Sequence, residues 1–211
     1  MFDAIAPRYD LVNRVMTFGM DVGWRRKAVS GLNLPRGSFV PDIACGTGDF
    51  CRELMRWGYR TAGFDMSAGM PKKAKTHAPL ILADALALPL GNACADGLTC
   101  GFALRNVTDL GRLFAEFARV TRPGGRIALL EVAQPQSRML RAGHRLYFHR
   151  VVPLIGGVLS DANAYRYLPR STGYLPPPDQ MLKMLEGEGF ICVERKLLAL
   201  GAAQLIQATR R

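Results

Sequence analysis

The sequence predicts an α/β fold: a mostly parallel seven-stranded sheet with helices on both faces and an antiparallel strand at the C-terminal end. Three observations carry this. Short apolar runs alternate with segments of helical periodicity through the middle of the chain. The fifth of these runs is apolar at nearly every position, as happens when both faces of a sheet are covered. Two further strand-like runs close the chain next to each other, whereas the earlier runs alternate with helical stretches, which implies a largely parallel sheet with right-handed crossovers.

Taken in order, Phe2 to Ser30 reads as two helices broken near Phe18-Gly19. Ser38 to Ile43 is a short apolar strand ending in the glycine-rich turn Ala44-Cys45-Gly46-Thr47-Gly48. Asp49 to Trp57 suits a helix, with Phe50, Leu54 and Trp57 on one face and Gly58 closing it. Tyr59 to Phe64 is a second strand ending at Asp65, and Ser67 caps a helix expected through Lys75. Leu80 to Ala83 is a third strand, followed by Asp84, and Gly97 to Phe102 a fourth. Leu110 to Val120 places Leu113, Phe117 and Val120 on one helical face and is stopped by Pro123-Gly124-Gly125. Arg126 to Val132 is the fifth strand. Arg138 to Val151 reads as an amphipathic helix, apolar at Leu140, Tyr147, Phe148 and Val151, polar at Arg138, Arg141, Arg145 and His149. After Pro176-Pro177-Pro178, Gln180 to Glu188 is a short helix, and Phe190 to Leu198 pairs with Ala202 to Ala208. One domain results, divided into a helical cap (1–37), a core (38–132), a cover segment (133–180) and a closing helix with its strand pair (181–211).

Composition excludes several classes. At 211 residues, with 49% hydrophobic and 21% charged side chains, the chain is neither disordered nor collagenous nor a coiled coil. Five cysteines, an odd number without metal-type spacing, imply reduced cytoplasmic thiols. His77, His144 and His149 show no ligand spacing either, so no metal is expected. Met1 opens onto Phe2-Asp3 with no basic-then-apolar leader. The longest uncharged apolar run, Val151 to Ser160, is about half the roughly 20 residues of a membrane span. The net charge of +11 is uneven. Residues 42–132 are near balance, whereas residues 133–170 hold Arg138, Arg141, Arg145, Arg150, Arg166 and Arg170 against Asp161 alone. A nucleic-acid binder would carry its charge along a whole groove-facing surface. Basic attachments on a balanced core suit phosphate, an acidic substrate or an anionic membrane surface.

The stretch Asp42-Ile43-Ala44-Cys45-Gly46-Thr47-Gly48-Asp49 is the most informative. A strand delivers the chain to a turn where glycines let the backbone approach a ligand, and a helix N-terminus follows. A dinucleotide fingerprint would need its third glycine at Cys51, so that reading fails. Asp42, before the loop, would repel a pyrophosphate but suits a ligand with a cationic amine. Asp65, at the end of the next strand, can accept both hydroxyls of a ribose, and Asp84 can accept from an adenine amine. One acid at the end of each of three successive strands points to S-adenosylmethionine rather than a nicotinamide dinucleotide.

Further blocks carry a resemblance. Phe2-Asp3 and Ala6-x-x-Tyr9-Asp10-x-x-Asn13 with Trp24, the loop Gly46-Thr47-Gly48-Asp49, and Phe102-Ala103-Leu104-Arg105-Asn106-Val107 form one set. Arg119-Val120-x-x-Pro123-Gly124-Gly125 with Glu131, and Ala164-Tyr165-Arg166-Tyr167-Leu168, form another. By these the chain resembles, over nearly its whole length, the ubiquinone/menaquinone biosynthesis C-methyltransferase family of Rossmann-like class I methyltransferases. The resemblance implies methyl transfer from S-adenosylmethionine to a ring carbon of a prenylated benzoquinol or naphthoquinol. Thr47, Asp65, the Asp84-Ala85 pair and Gly101 would then contact the cofactor, beside Asp42, Cys45, Gly46, Gly48 and Met66. Cys100 is expected to line the same pocket. The chain departs from the family pattern at Gly101 (usually serine), Asp21 (histidine) and Val12 (methionine), at Pro41 and Pro71, and in lacking a terminal His-x-Gly-x-Lys.

Methyl transfer of this kind is an in-line displacement, so the enzyme mainly positions its partners and excludes water. A quinol ring carbon becomes nucleophilic when an ortho hydroxyl, whose unperturbed pKa is about 10, is ionised. Arg105 is the expected stabiliser of that oxyanion, because a guanidinium is too weak an acid to serve as base. Asn106 would orient a water or the ring oxygen, Tyr9 would add a polar contact, and Glu131 would support Arg105 from behind. A salt bridge from Arg105 to Asp109 is the purely structural alternative. Among functional alternatives, an exocyclic-amine methyltransferase of nucleic acid would carry an Asn/Asp-Pro-Pro-aromatic tetrad where this chain reads Gly101-Phe102-Ala103-Leu104. A small-molecule methyltransferase or cyclase of natural-product metabolism, and a cofactor-binding module without catalysis, are the other two. The expected partners are a lipophilic quinol and an anionic membrane on which the enzyme lies peripherally at the cytoplasmic face, with no nucleic acid. Oligomeric state stays open, a homodimer included.

Overall fold

The computed structural model describes residues 17–67, 76–133 and 174–211, together with Arg14, Val15, Gly69, Ala74, Pro135 and Ser137. Seven strands form one sheet: β1 (Asp42–Ile43), β2 (Gly63–Asp65), β3 (Leu80–Leu82), β4 (Ala95–Gly101), β5 (Thr121–Val132), β6 (Phe190–Leu198) and β7 (Ala203–Arg210). Their order is β3-β2-β1-β4-β5-β7-β6. The first five pair in parallel, and β7 lies antiparallel between β5 and β6. The expected mixed sheet is therefore present, with its single antiparallel insertion at the C-terminal end.

Four helices accompany it among the described residues: α1 (Met20–Ser30), α2 (Asp49–Arg56), α3 (Leu110–Val120) and α4 (Pro178–Gly187). They cover both faces, and β5 shows how. Its Ile127 and Leu129 join a cluster with Phe114, Phe117, Met181 and Leu185 of α3 and α4. The alternate residues Ala128 and Leu130 join Ala28, Val29, Phe50 and Leu54 of α1 and α2 on the other side. A period of two on a strand buried twice is what the apolar run encoded.

Local chemistry fixes the element ends. The α3 span matches the sequence expectation, and Asp109 caps it by accepting from the Arg112 amide at 2.9 Å. Gly19 takes φ 73° immediately before α1, at the expected break. Pro178 opens α4 two residues before the expected start, a position where its missing N–H costs nothing. Four details differ from the sequence expectation. Trp57 is half out of the core and donates to Glu53 Oε1 at 3.1 Å instead of completing the α2 face. β5 begins at Thr121 and runs through Pro123-Gly124-Gly125, and its register against β4 shifts between Ala95 and Gly97. β1 shrinks to two residues because Pro41 accepts from the Thr99 amide at 3.0 Å but has no N–H to return to β4. β2 likewise begins only at Gly63, and Arg60 makes an isolated bridge with Phe39. The first N-terminal helix, expected from Phe2 to the break near Phe18, the helices expected over 67–75 and 138–151, and the stretch 164–168 lie wholly or largely outside the described residues.

Candidate active site

The strand order reverses between β1 and β4, and at such a point the carboxyl ends of parallel strands leave a crevice for a ligand. A cavity of about 500 Å³ occupies it, lined among others by Asp65, Met66, Asp84, Ala85, Gly101 and Asn106. A recess of about 50 Å³ adjoins it through shared Ala44, Gly46, Gly101 and Phe102, and adds Arg25, Asp42, Cys45 and Thr47. Of the ten residues expected at the cofactor, nine line one space or the other. Gly48 lines neither; at φ 81° it turns the loop into α2. Cys100 belongs to the hydrophobic core between β4 and α3, not to the pocket.

The acids are held by the backbone around them. Asp65 accepts from the Gly46 amide at 2.7 Å through Oδ2 and from the Ser67 amide at 2.8 Å through Oδ1, tying the glycine loop to the end of β2. Each carboxylate oxygen has a second acceptor site to spare. Asp84 accepts from the Leu86 amide at 2.9 Å in an Asx turn. The loop after it is clamped from α3. Glu116 accepts from the Leu88 amide at 2.6 Å, and Arg119 donates to the carbonyls of Leu88 and Leu90 and to Asn92 Oδ1. The second family block thus holds the loop that carries Asp84.

Asp42 is buried, and its Oδ1 accepts from the Thr99 hydroxyl at 2.8 Å. Burial pushes its carboxyl up to about 8, against lowering contributions from Thr99 and Arg25. The folded chain therefore holds that proton more tightly than the unfolded chain, whose carboxyl titrates near 3.8. Asp42 contributes its stability in full below about pH 4 and loses it as pH rises toward 8. The expected result is that the stability of the parent relative to Asp42→Asn falls across pH 5–8, by up to about 1.4 kcal/mol per pH unit. Urea midpoints at four pH values check this; a constant difference would show that Asp42 is ionised throughout.

Gly101 explains one departure from the family pattern. A Cβ there would meet Phe50 Cε2 at 2.6 Å, so the Phe50 ring occupies the space a serine would need. Ala44 (φ 54°) and Phe102 (φ 58°), just beyond β1 and β4, hold left-handed backbone at the two sides of the crevice, strain of the kind that gathers at functional sites. Arg25 lines the same recess as both: it pairs with Asp21 and, at 3.2 Å, with Asp49, and lies 5.9 Å from the Phe50 ring centre and 5.8 Å from that of Phe102. Burial alone would raise the Asp21 carboxyl, but Arg25 and a bond from the Thr17 hydroxyl hold it below the ordinary range. Sequence reasoning did not single out Arg25, although the i, i+4 acid–base pair Asp21–Arg25 on an expected helix was a visible signal.

Arg105 and Asn106 share the 3₁₀ turn Leu104–Asn106 after β4. Arg105 does not line either space. Its side chain, 5% exposed, pairs with Glu131, which is fully buried, and donates to the Phe102 carbonyl at 2.8 Å. Glu131 also accepts from the Arg105 and Val132 amides. Glu131 is thus the partner of Arg105, whereas Asp109 serves as the α3 cap. Asn106 does line the larger cavity, and its Oδ1 is buried without a partner. Tyr9 lies outside the described residues.

The ubiE/COQ5 methyltransferase family matches residues 1–210 of this chain. The chain belongs to that family. Among relatives of this methyltransferase, a demethylmenaquinone methyltransferase of Roseiflexus castenholzii is 43% identical over 219 residues, covering 100% of this chain and 92% of the relative. A ubiquinone/menaquinone biosynthesis C-methyltransferase of Syntrophotalea carbinolica is 38% identical with the same coverage. In structure, a SAM-dependent methyltransferase of Thermotoga maritima superposes with TM-score 0.69 at 18% identity, over 100% of this chain and 98% of that one. A phosphoethanolamine N-methyltransferase of Haemonchus contortus, in complex with S-adenosyl-L-methionine, gives 0.67 at 14% identity, over 89% and 52%. These likenesses place the methyltransferase in the Rossmann-like class I fold, as its strand order does.

Proposed function

We propose that this methyltransferase moves the methyl group of S-adenosylmethionine to a ring carbon of a prenylated benzoquinol or naphthoquinol. The observation that carries the reading is a single crevice lined by acids from β1, the end of β2 and the turn after β3, together with an uncommitted amide, Asn106, from the turn after β4. The residues fit the cofactor. Asp84 suits an exocyclic amine, Asp65 a ribose diol, and the recess at Asp42 a cationic amine, while Gly46, with open space where a Cβ would stand, leaves room for close approach. When bound, S-adenosylmethionine supplies an electrophilic methyl group on a sulfonium. The protein's part is to orient the acceptor and help it lose a proton. Arg105, committed to Glu131 and to the Phe102 carbonyl, serves by fixing the turn that presents Asn106. Asn106 then accepts a hydrogen bond from the water that takes the ring hydroxyl's proton, and Tyr9 adds a polar contact from the N-terminal cap.

The relatives' names support a quinol acceptor, and they do not favour the natural-product alternative. Mass spectrometry of lipid extracts incubated with the enzyme and methyl-labelled cofactor tests the reading. A quinol heavier by one labelled methyl is expected; label appearing only in water-soluble products would overturn it.

The excess of arginine over residues 133–170 supports a peripheral site on an anionic membrane, where each basic residue near the surface contributes about 1 kcal/mol. No helix among the described residues is long and apolar enough to cross a membrane. Co-sedimentation with liposomes should rise with their anionic lipid content, and indifference to that content would exclude this role for the charge.

A further inference from the structure

The small recess has a feature that the acids alone do not account for. Among the described residues lining either space, Arg25 is the sole Lys or Arg. Its side chain is only 11% exposed and is held from four directions: Asp21 within α1, Asp49 at the start of α2, and the rings of Phe50 and Phe102. The two ion pairs occupy two of the guanidinium's five donors. A cation fixed in advance, with donors remaining and its orientation set by two aromatic faces, is prepared for a planar anion.

We propose that Arg25 binds the carboxylate of the cofactor's methionyl end, so that the recess reads the whole zwitterion: carboxylate at Arg25, ammonium at Asp42. Charge decides which group goes where. Arg25 attracts a carboxylate and repels an ammonium, whereas Asp42, buried beside the glycine loop, offers an ammonium a carboxyl oxygen to donate to. Asp21 and Asp49 are positioning residues here, since they hold the guanidinium rather than meet the ligand. The assignment makes Arg25 a specificity residue that separates S-adenosylmethionine from adenosyl compounds lacking the carboxylate. It rests on the reading of S-adenosylmethionine as the cofactor.

The test compares two ligands by calorimetry on the full chain: S-adenosylmethionine and its decarboxylated form, which keeps the sulfonium and the ammonium. The parent should bind S-adenosylmethionine about tenfold or more tightly than the decarboxylated form, the increment of a charge-assisted hydrogen bond. Arg25→Met should abolish that ratio by weakening S-adenosylmethionine alone. A parent that binds both equally, or an Arg25→Met variant that loses both in the same proportion, would overturn the assignment and leave Arg25 a structural cation. Loss of Arg25 leaves Asp21 buried and unpaired, so Arg25→Lys is measured as well. It keeps the charge without the planar fork, and its ratio should fall severalfold; an unchanged ratio counts against the proposal. A parent that binds neither ligand overturns the cofactor reading itself, an outcome distinct from binding without discrimination.

Discussion

Glu131→Ala is expected to destabilise the folded chain by about 3–5 kcal/mol, because it leaves the Arg105 guanidinium buried without its counter-charge. Glu131 is fully buried and Arg105 nearly so, and Glu131 also satisfies the backbone amides of Arg105 and Val132. Removing it strips three donors at once, and Arg105 Nε already lacks a partner. Arg105→Ala carries the mirror cost, a buried carboxylate without its cation. A double replacement of the pair by apolar side chains of similar volume should be far milder than either single change, since charge separation and not lost contact area drives the loss. Urea unfolding of the parent, the two single variants and the double variant measures this. If Glu131→Ala costs less than about 1 kcal/mol, Arg105 has another exit and the pair does not hold the turn. The comparison also separates folding from chemistry, because activity lost by Arg105→Ala must first be corrected for molecules that no longer fold.

The same pair shows where the sequence stops being legible. Arg105 and Glu131 are 26 positions apart. They meet only because β4 and β5 are neighbours in register, with Gly101 opposite Leu130. The sequence placed each at the end of its strand and so allowed the contact, but a periodic pattern does not say on which side of the crevice the guanidinium will point. Local features were readable where one segment decides them. The α3 span and the three acids follow from spacing and turn chemistry within a few residues. The Pro123-Gly124-Gly125 stretch misled for the opposite reason: it does end α3, yet β4 offers partners that carry the strand through it. Cys100 looked like a pocket residue by its nearness to Gly101, but alternation along β4 turns it into the core. Arg25 escaped notice because its role is made by tertiary contact, α1 lying against the start of α2 and the Phe102 turn.

Asn106→Ala is expected to lower kcat by about 10²-fold while leaving the dissociation constant for S-adenosylmethionine within about twofold. The amide is one residue beyond the locked Arg105, on a turn whose Asn106 amide donates to the Ala103 carbonyl at 2.8 Å. Its Oδ1 is buried and unpartnered, an arrangement that costs about 1–3 kcal/mol in the free protein unless a ligand repays it. An ordered water placed to take the ring hydroxyl's proton supplies the missing donor, and its bond to Oδ1 strengthens as that water gains positive charge on receiving the proton. That is an interaction made more fully at the transition state than in the resting complex, so its removal should appear in kcat rather than in KM. The acids that would meet the cofactor are anchored independently of Asn106, Asp65 by the Gly46 and Ser67 amides and Asp84 by the Leu86 amide. Calorimetry for the cofactor and steady-state turnover with a prenylated quinol, on the same preparation, distinguish the two effects. Weakened cofactor binding with unchanged kcat would move Asn106 to the cofactor side of the crevice and leave proton removal from the acceptor to Tyr9 or solvent.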